Sequence, residues 1–203
     1  MIDQRLYEEF RDIGRDIYVG QLTSSHGGNM SVRVGDRIII KRRGAQLGRL
    51  KIEDFVEVPL YGNNSGIMRA SSELIVHRAI FQKTPALAVI HCHPRTAITV
   101  SLSRDEIIPI DVEGSYLLHK VPVIATEHSS GSQEMADLLS DMLSEYKVVM
   151  QRGHGVFSIG QTLEEAFHWI SAVEEACDII LEAKLLGEQR IEYRKHSEGY
   201  ANW

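Results

Sequence analysis

Apolar residues recur at Leu6, Phe10, Ile13 and Ile17, one face of an amphipathic helix over residues 3–20 that stops near Gly20. A polar, glycine-bearing loop follows, and the period then changes. MSVRVGDRIIIK alternates and is rich in β-branched residues, which predicts two strands around a Gly35-Asp36 turn. Residues 51–58 read as a short helical turn and a strand, with Pro59 near its end. YGNNSGIMRA is loop, turning toward a helix start. SSELIVHRAIFQKTP carries a helical stripe of Leu74, His77, Ile80 and Phe81, and a serine is expected to cap it. ALAVIHCHP is a continuous apolar run with a polar end, the pattern of a buried strand.

The second half continues this way. A helix is expected from about Pro94 to Leu102, then short strands in IIPIDV and VPVIAT. SSGSQEMADLLSDMLSEY reads as a helix capped near Ser132, and VVMQRGHGVFSIG as two strands around a glycine-flanked histidine. The last helix, from TLEEAF to KLLG, has Thr162 at its cap and Glu165 in the third position, a capping box. A polar tail with scattered aromatics fills residues 188–203. The order lacks clean βαβ repeats and any GxGxxG, which argues against a dinucleotide fold. It predicts an α/β fold of one domain across residues 1–203, with a central, mostly antiparallel sheet flanked by helices.

Composition narrows the chemistry. A chain of 203 residues buries roughly 70% of its extended surface, so it does not need a metal to supply a core. With 22 Lys and Arg against 28 Asp and Glu, the formal charge of -6 does not suggest a nucleic-acid partner. No apolar run approaches the roughly 18 residues of a membrane span. The opening MIDQRLYEEFRDIG carries charge throughout, unlike a targeting signal. Two cysteines, Cys92 and Cys177, make no disulfide framework, and a cytoplasmic setting is expected.

Chemistry concentrates in HCHP. Strand alternation puts His91 and His93 on one face, roughly 6.5 Å apart, and turns Cys92 to the other. Two imidazoles so placed can converge on one ion. A catalytic zinc site takes three protein ligands, and the best third candidate is His154 in the flexible Gly-His-Gly; His128 and His119 are weaker. Glu73 in ASSEL reads either as a helix-start acid favoured by the macrodipole or as a base beside the metal. Ser71 and Ser72, the Gly27-Gly28-Asn29 loop with Ser31, and the basic run of Lys41, Arg42 and Arg43 followed by Gly44 are candidate anion contacts. A nucleophilic Cys92 fits poorly, because the thiol faces away from its neighbouring histidines.

GGNMSVR, SSE, HCHP and GHG, in that order, resemble the class II aldolase/adducin family, and the resemblance runs from about Phe10 to Glu182. It implies a divalent metal, Zn2+ first with Mn2+ or Co2+ as substitutes, on His91, His93 and His154. It implies Glu73 as the acid-base residue. Its phosphate pocket maps to Gly28 and Asn29, Arg43 and Gly44, and Ser71 and Ser72. It further implies a small phosphorylated sugar as substrate and a homotetramer with sites between subunits.

The implied reaction is cleavage of a ketose 1-phosphate of the L-fuculose 1-phosphate type between carbons three and four. The products would be dihydroxyacetone phosphate and a small aldehyde, with Glu73 protonating the carbon left behind. Other members of the family type imply alternatives: a sugar-phosphate 4-epimerase, a methylthioribulose 1-phosphate dehydratase, a sugar-acid decarboxylase, or a non-catalytic adducin-like module. The chain departs from the family at two places. Gly27 precedes Gly28-Asn29 where serine is common, and Arg43 replaces a threonine. A tyrosine that the family draws from a neighbouring subunit has Glu113 and Tyr116 nearest its expected place.

Overall fold

The computed structural model describes residues 2–128 and 130–187. Helix α1 (Gln4–Val19) begins where Asp3 accepts the Leu6 amide, and it buries Phe10, Ile13 and Ile17. Strands β1 (Asn29–Val34), β2 (Arg37–Lys41) and β3 (Phe55–Pro59) form an antiparallel meander. Helix α2 (Leu74–Lys83) then leads into β4 (Ala88–Cys92). Beyond it come α3 (Arg95–Ser101), β5 (Glu106–Ile107), α4 (Val112–Leu118) and β6 (Val121–Ile124). Helix α5 (Gln133–Met142), the hairpin β7 (Val148–Gln151) and β8 (Gly155–Gly160), and α6 (Leu163–Leu185) complete the described chain.

One eight-stranded sheet runs β3-β2-β1-β4-β8-β7-β6-β5. Every pairing is antiparallel except β6 with β7. Strand alternation divides the core in two. Ala88, Ile90 and Cys92 join one apolar cluster with residues of α1 and α6, while Val89 and Phe157 join the other with residues of α2 and α5. Helices therefore cover both faces, as the periodicity predicts. No described helix is long and apolar enough to cross a membrane.

Three local readings need correction. The expected strand in IIPIDV is cut to Glu106–Ile107, and an unpredicted helix, α4, follows it. Asp111 caps that helix by accepting the Gly114 amide at 2.7 Å. The first turn of α2 is not capped by a serine side chain. Glu73 itself holds the cap position, and the Ser71 hydroxyl accepts the Glu73 amide at 3.3 Å. At α6, Thr162 caps as expected, but Glu165 reaches the amide of Gln161, one residue earlier than a capping box requires. The 188–203 tail lies outside the described residues.

Candidate metal centre and active site

The row Asn29, His91, Phe157 crosses β1, β4 and β8 in register. His91 points to the α2/α5 face and stacks on Phe157, with ring centroids 3.9 Å apart. Strand β4 ends at Cys92, yet His93 stays on the same side: its Nε2 lies 2.9 Å from Nε2 of His91. The turn between β7 and β8 carries His154 to the same point. The ligand atoms of His91, His93 and His154 all lie within 4.8 Å of one another, a group that could hold a metal ion.

Tautomers support that role. His91 Nδ1 donates to the Val156 carbonyl at 3.0 Å, and His154 Nδ1 to Gln151 Oε1 at 2.7 Å. Each leaves its Nε2 as a bare lone pair, the second-sphere arrangement common to metal-binding histidines. Two ring nitrogens 2.9 Å apart need something positive between them. Burial, and then the neighbouring imidazoles, hold His91 well below the ordinary histidine range. Burial likewise takes His93 down to about 4 and lowers His154. A shared proton is thus disfavoured, and a divalent cation fits the donor set. Nitrogens 2.0–2.1 Å from a tetrahedral ion are roughly 3.3 Å apart, close to the observed pair.

Glu73 completes the centre. It is almost wholly buried; its Oε2 accepts from Asn29 Nδ2 at 2.8 Å and lies 3.5 Å from His91 Nε2. The Ser130 hydroxyl donates to Oε1 at 3.3 Å. A carboxylate pinned this way would stand beside an ion held by the three histidines. Cys92 faces the opposite core, where burial raises its thiol and keeps it unreactive.

A cavity of about 220 Å³ opens beside these groups. Gly28, Asn29, Arg43, Gly44, Ser71 and Ser72 all line it, whereas two of the candidate anion contacts, Ser31 and Arg42, are engaged by His77 and Asp54. Gly28 has φ +72°, and an added Cβ would lie 2.7 Å from the His91 carbonyl, so the loop's approach depends on glycine. Asn29 has a second task that the sequence did not suggest, orienting Glu73. The weaker metal candidates are not brought in. His119 lies on a separate cavity between the α4–β6 turn and Trp169, and His128 is exposed in the loop before α5. Glu113 and Tyr116, on exposed positions of α4, do not line the histidine cavity of their own chain. Lys41, read with Arg42 and Arg43 as a candidate anion contact, also lines the cavity. Sequence reading missed Ser130 and Gln151, although Gln151 stood three residues before His154 in a tight hairpin.

Residues 8–181 match the family model described as the Class II Aldolase and Adducin N-terminal domain. The chain belongs to the class II aldolase and adducin family. Its fold is close to a crystal structure of L-fuculose-1-phosphate aldolase from Thermus thermophilus. That match has a TM-score of 0.87 and 36% identity, covering 91% of this chain and 97% of that one. The L-fuculose phosphate aldolase of Methanocaldococcus jannaschii is 29% identical over 86% of this chain and 94% of its own. A 3-oxo-tetronate 4-phosphate decarboxylase of Haemophilus influenzae is 28% identical over 98% of this chain and 96% of its own. Family members of other kinds also match: a methylthioribulose-1-phosphate dehydratase of Acidiphilium cryptum (32%, over 72% of this chain and 76% of its own) and human gamma-adducin (34%, over 76% of this chain but 23% of its own). The family supports a lyase, and the three-histidine group fits the divalent metal that its aldolases use.

Proposed function

We propose that this class II aldolase family member is a zinc-dependent aldolase that cleaves a ketose 1-phosphate of the L-fuculose 1-phosphate type to dihydroxyacetone phosphate and a small aldehyde. The observation that carries the reading is the placement of Glu73, oriented by Asn29 and Ser130 and 3.5 Å from a nitrogen of the three-histidine group. His91, His93 and His154 would hold Zn2+, or Mn2+ or Co2+ in its place. When bound, the ion supplies Lewis-acid polarisation of a substrate carbonyl, which makes the adjacent carbon acidic.

The protein's own groups do the rest. Glu73 gives a proton to the carbon beside the carbonyl during cleavage and takes it back during condensation. Ser71, Ser72, Arg43, Gly44, Gly28 and Asn29 receive the phosphate and fix that carbon against the carboxylate. Burial of Glu73 and His91 limits the access of bulk water that would otherwise protonate the carbon. Cleavage also requires a base that removes the proton from the C4 hydroxyl as it becomes the aldehyde carbonyl. Glu113 or Tyr116 of a neighbouring copy would accept that proton in a cytoplasmic homotetramer with sites between subunits, a reading consistent with their exposure away from this chain's own cavity.

A phosphorylated 3-oxo acid decarboxylase is the second reading. It is favoured by the end-to-end match to the decarboxylase relative. Both reactions pass through a carbanion beside a carbonyl, so the product assay must separate them. We expect dihydroxyacetone phosphate from a panel of ketose 1-phosphates and no carbon dioxide from 3-oxo acid phosphates; the reverse pattern selects decarboxylation. Glu73→Gln should lower turnover by roughly 10²–10⁴ while zinc stoichiometry stays at the wild-type value. Unchanged exchange of the dihydroxyacetone phosphate proton in that variant would remove Glu73 from the role.

A further inference from the structure

Two buried polar residues stand outside the lining of the histidine cavity. Ser31 Oγ and His77 Nδ1 lie 2.6 Å apart in a hydrogen bond, and both residues are fully buried. Nε2 of the same ring has no partner among the described residues. Burial lowers His77 to about 4, so the ring is neutral and brings no charge to the core. An unpaired buried nitrogen costs free energy, and an apolar pair of the same shape would be about as stable or more so. Stability alone is therefore a poor reason for a histidine here.

Its position supplies a better one. Ser31 follows Asn29 by two residues on β1 and shares its face; His77 follows Glu73 by four residues and shares its side of α2. Asn29 Nδ2 donates to Glu73 Oε2, and the His77 amide donates to the Glu73 carbonyl at 3.1 Å. Asn29, Glu73, His77 and Ser31 thus close a ring of contacts between the strand and the helix start, none of them more than 5% exposed. Glu73 is the cap residue of α2 and its side chain makes no cap bond, so its carboxylate goes where the first turn goes. Helix α2 packs on α5, and apolar packing tolerates a small slide along β1 that a directional hydrogen bond does not.

We propose that His77, held by Ser31, is a positioning residue for Glu73: the buried pair fixes the first turn of α2 against β1 and so sets the carboxylate beside the three-histidine group. This deepens the acid-base role proposed for Glu73 and rests on it. The ring's other neighbour is Phe157, edge-on with centroids 6.4 Å apart, and Phe157 stacks on His91. Action by that route would change the metal ligand rather than the base, so metal affinity separates the two.

The test uses the zinc-loaded full chain. Ser31→Ala breaks the bond, and Ser31→Ala/His77→Leu replaces both partners by apolar groups while keeping the core filled. His77→Asn keeps a polar atom on Cγ, where Nδ1 stands. In the first two variants, kcat for solvent proton exchange on dihydroxyacetone phosphate should fall by about 10–100-fold, the usual effect of a misplaced catalytic group. KM and zinc affinity should stay at the wild-type values, and His77→Asn should recover most of the rate. The double variant should unfold at a urea concentration no lower than wild type, so its lost rate is not a lost fold.

A second readout needs no reaction. The side-chain amide of Asn29, assigned in 15N-labelled protein by its disappearance in Asn29→Asp, should exchange slowly with solvent in wild type. In Ser31→Ala and in the double variant its signal should shift and exchange faster, because its acceptor on Glu73 has moved. A wild-type exchange rate or an unmoved Asn29 signal in the double variant would reduce the pair to core packing and overturn the proposal. So would a parallel loss of zinc affinity, or a His77→Asn rate no better than that of the double variant. If the double variant fails to fold, Ser31→Ala decides by the same two readouts. A wild-type protein that exchanges no proton on dihydroxyacetone phosphate would defeat the reaction assignment alone, and the Asn29 signal would still decide the positioning role.

Discussion

Gln151 touches no substrate position, yet it decides what His154 can do. Its Oε1 accepts a hydrogen bond from Nδ1–H of His154, and its Nε2 donates to Thr126 at 2.9 Å. The imidazole is thereby locked with Nε2 bare. Gln151→Met keeps the volume and removes the acceptor, so metal affinity should fall by about 10–100-fold with all three histidines present. Competition against a chromophoric chelator measures it; unchanged affinity would show that the ring is held by packing alone. At this scale the ligands were legible because alternation is a property of single strands, and it survives even though β4 stops one residue before His93. The tautomers were not legible. They depend on Val156 of a paired strand and on a side chain across a turn, and nothing local announces either.

The β7–β8 hairpin shows how an element constrains the site. Gly155 sits against the rings, and a Cβ there would press into the Cys92 carbonyl and lie 2.8 Å from His91 Cε1 and His93 Cδ2. Gly155→Ala should therefore cost about 1–3 kcal/mol in urea unfolding and also reduce metal stoichiometry. Gly35→Ala makes a useful contrast. Its turn has φ +60° with open space around the added methyl, so about 1 kcal/mol should be lost with metal binding intact. Equal metal loss in the two variants would refute the steric account. Helix and strand types were mostly readable because each buries one clear face. Helix α4 was not. Its β-branched start and internal glycine look like a strand and a loop, and the deciding features are the Asp111 cap and packing on α6, made visible only by tertiary contact.

On the scale of the whole molecule, the three histidines come from the middle of the sheet. His91 is in β4, paired on both sides by β1 and β8, and His154 closes the hairpin that joins β8 to β7. The sequence could name these strands but not their order, since β4 meets β8 across more than sixty intervening residues. That order has a thermodynamic consequence. An ion held there binds interior strands flanked by both apolar clusters, so it stabilises the globally folded state rather than a fraying segment. With free metal at about a thousand times its dissociation constant, the linkage is worth about 4 kcal/mol. For a chain of this size, that is a fall of roughly 8–16 °C in melting temperature on chelation. The urea m-value should stay the same, because the surface exposed on unfolding does not change. A scan with and without chelator, at fixed protein concentration, measures both quantities. Complete metal removal with no change in melting temperature would place the ion on a part of the chain that opens independently, contrary to the central position of β4.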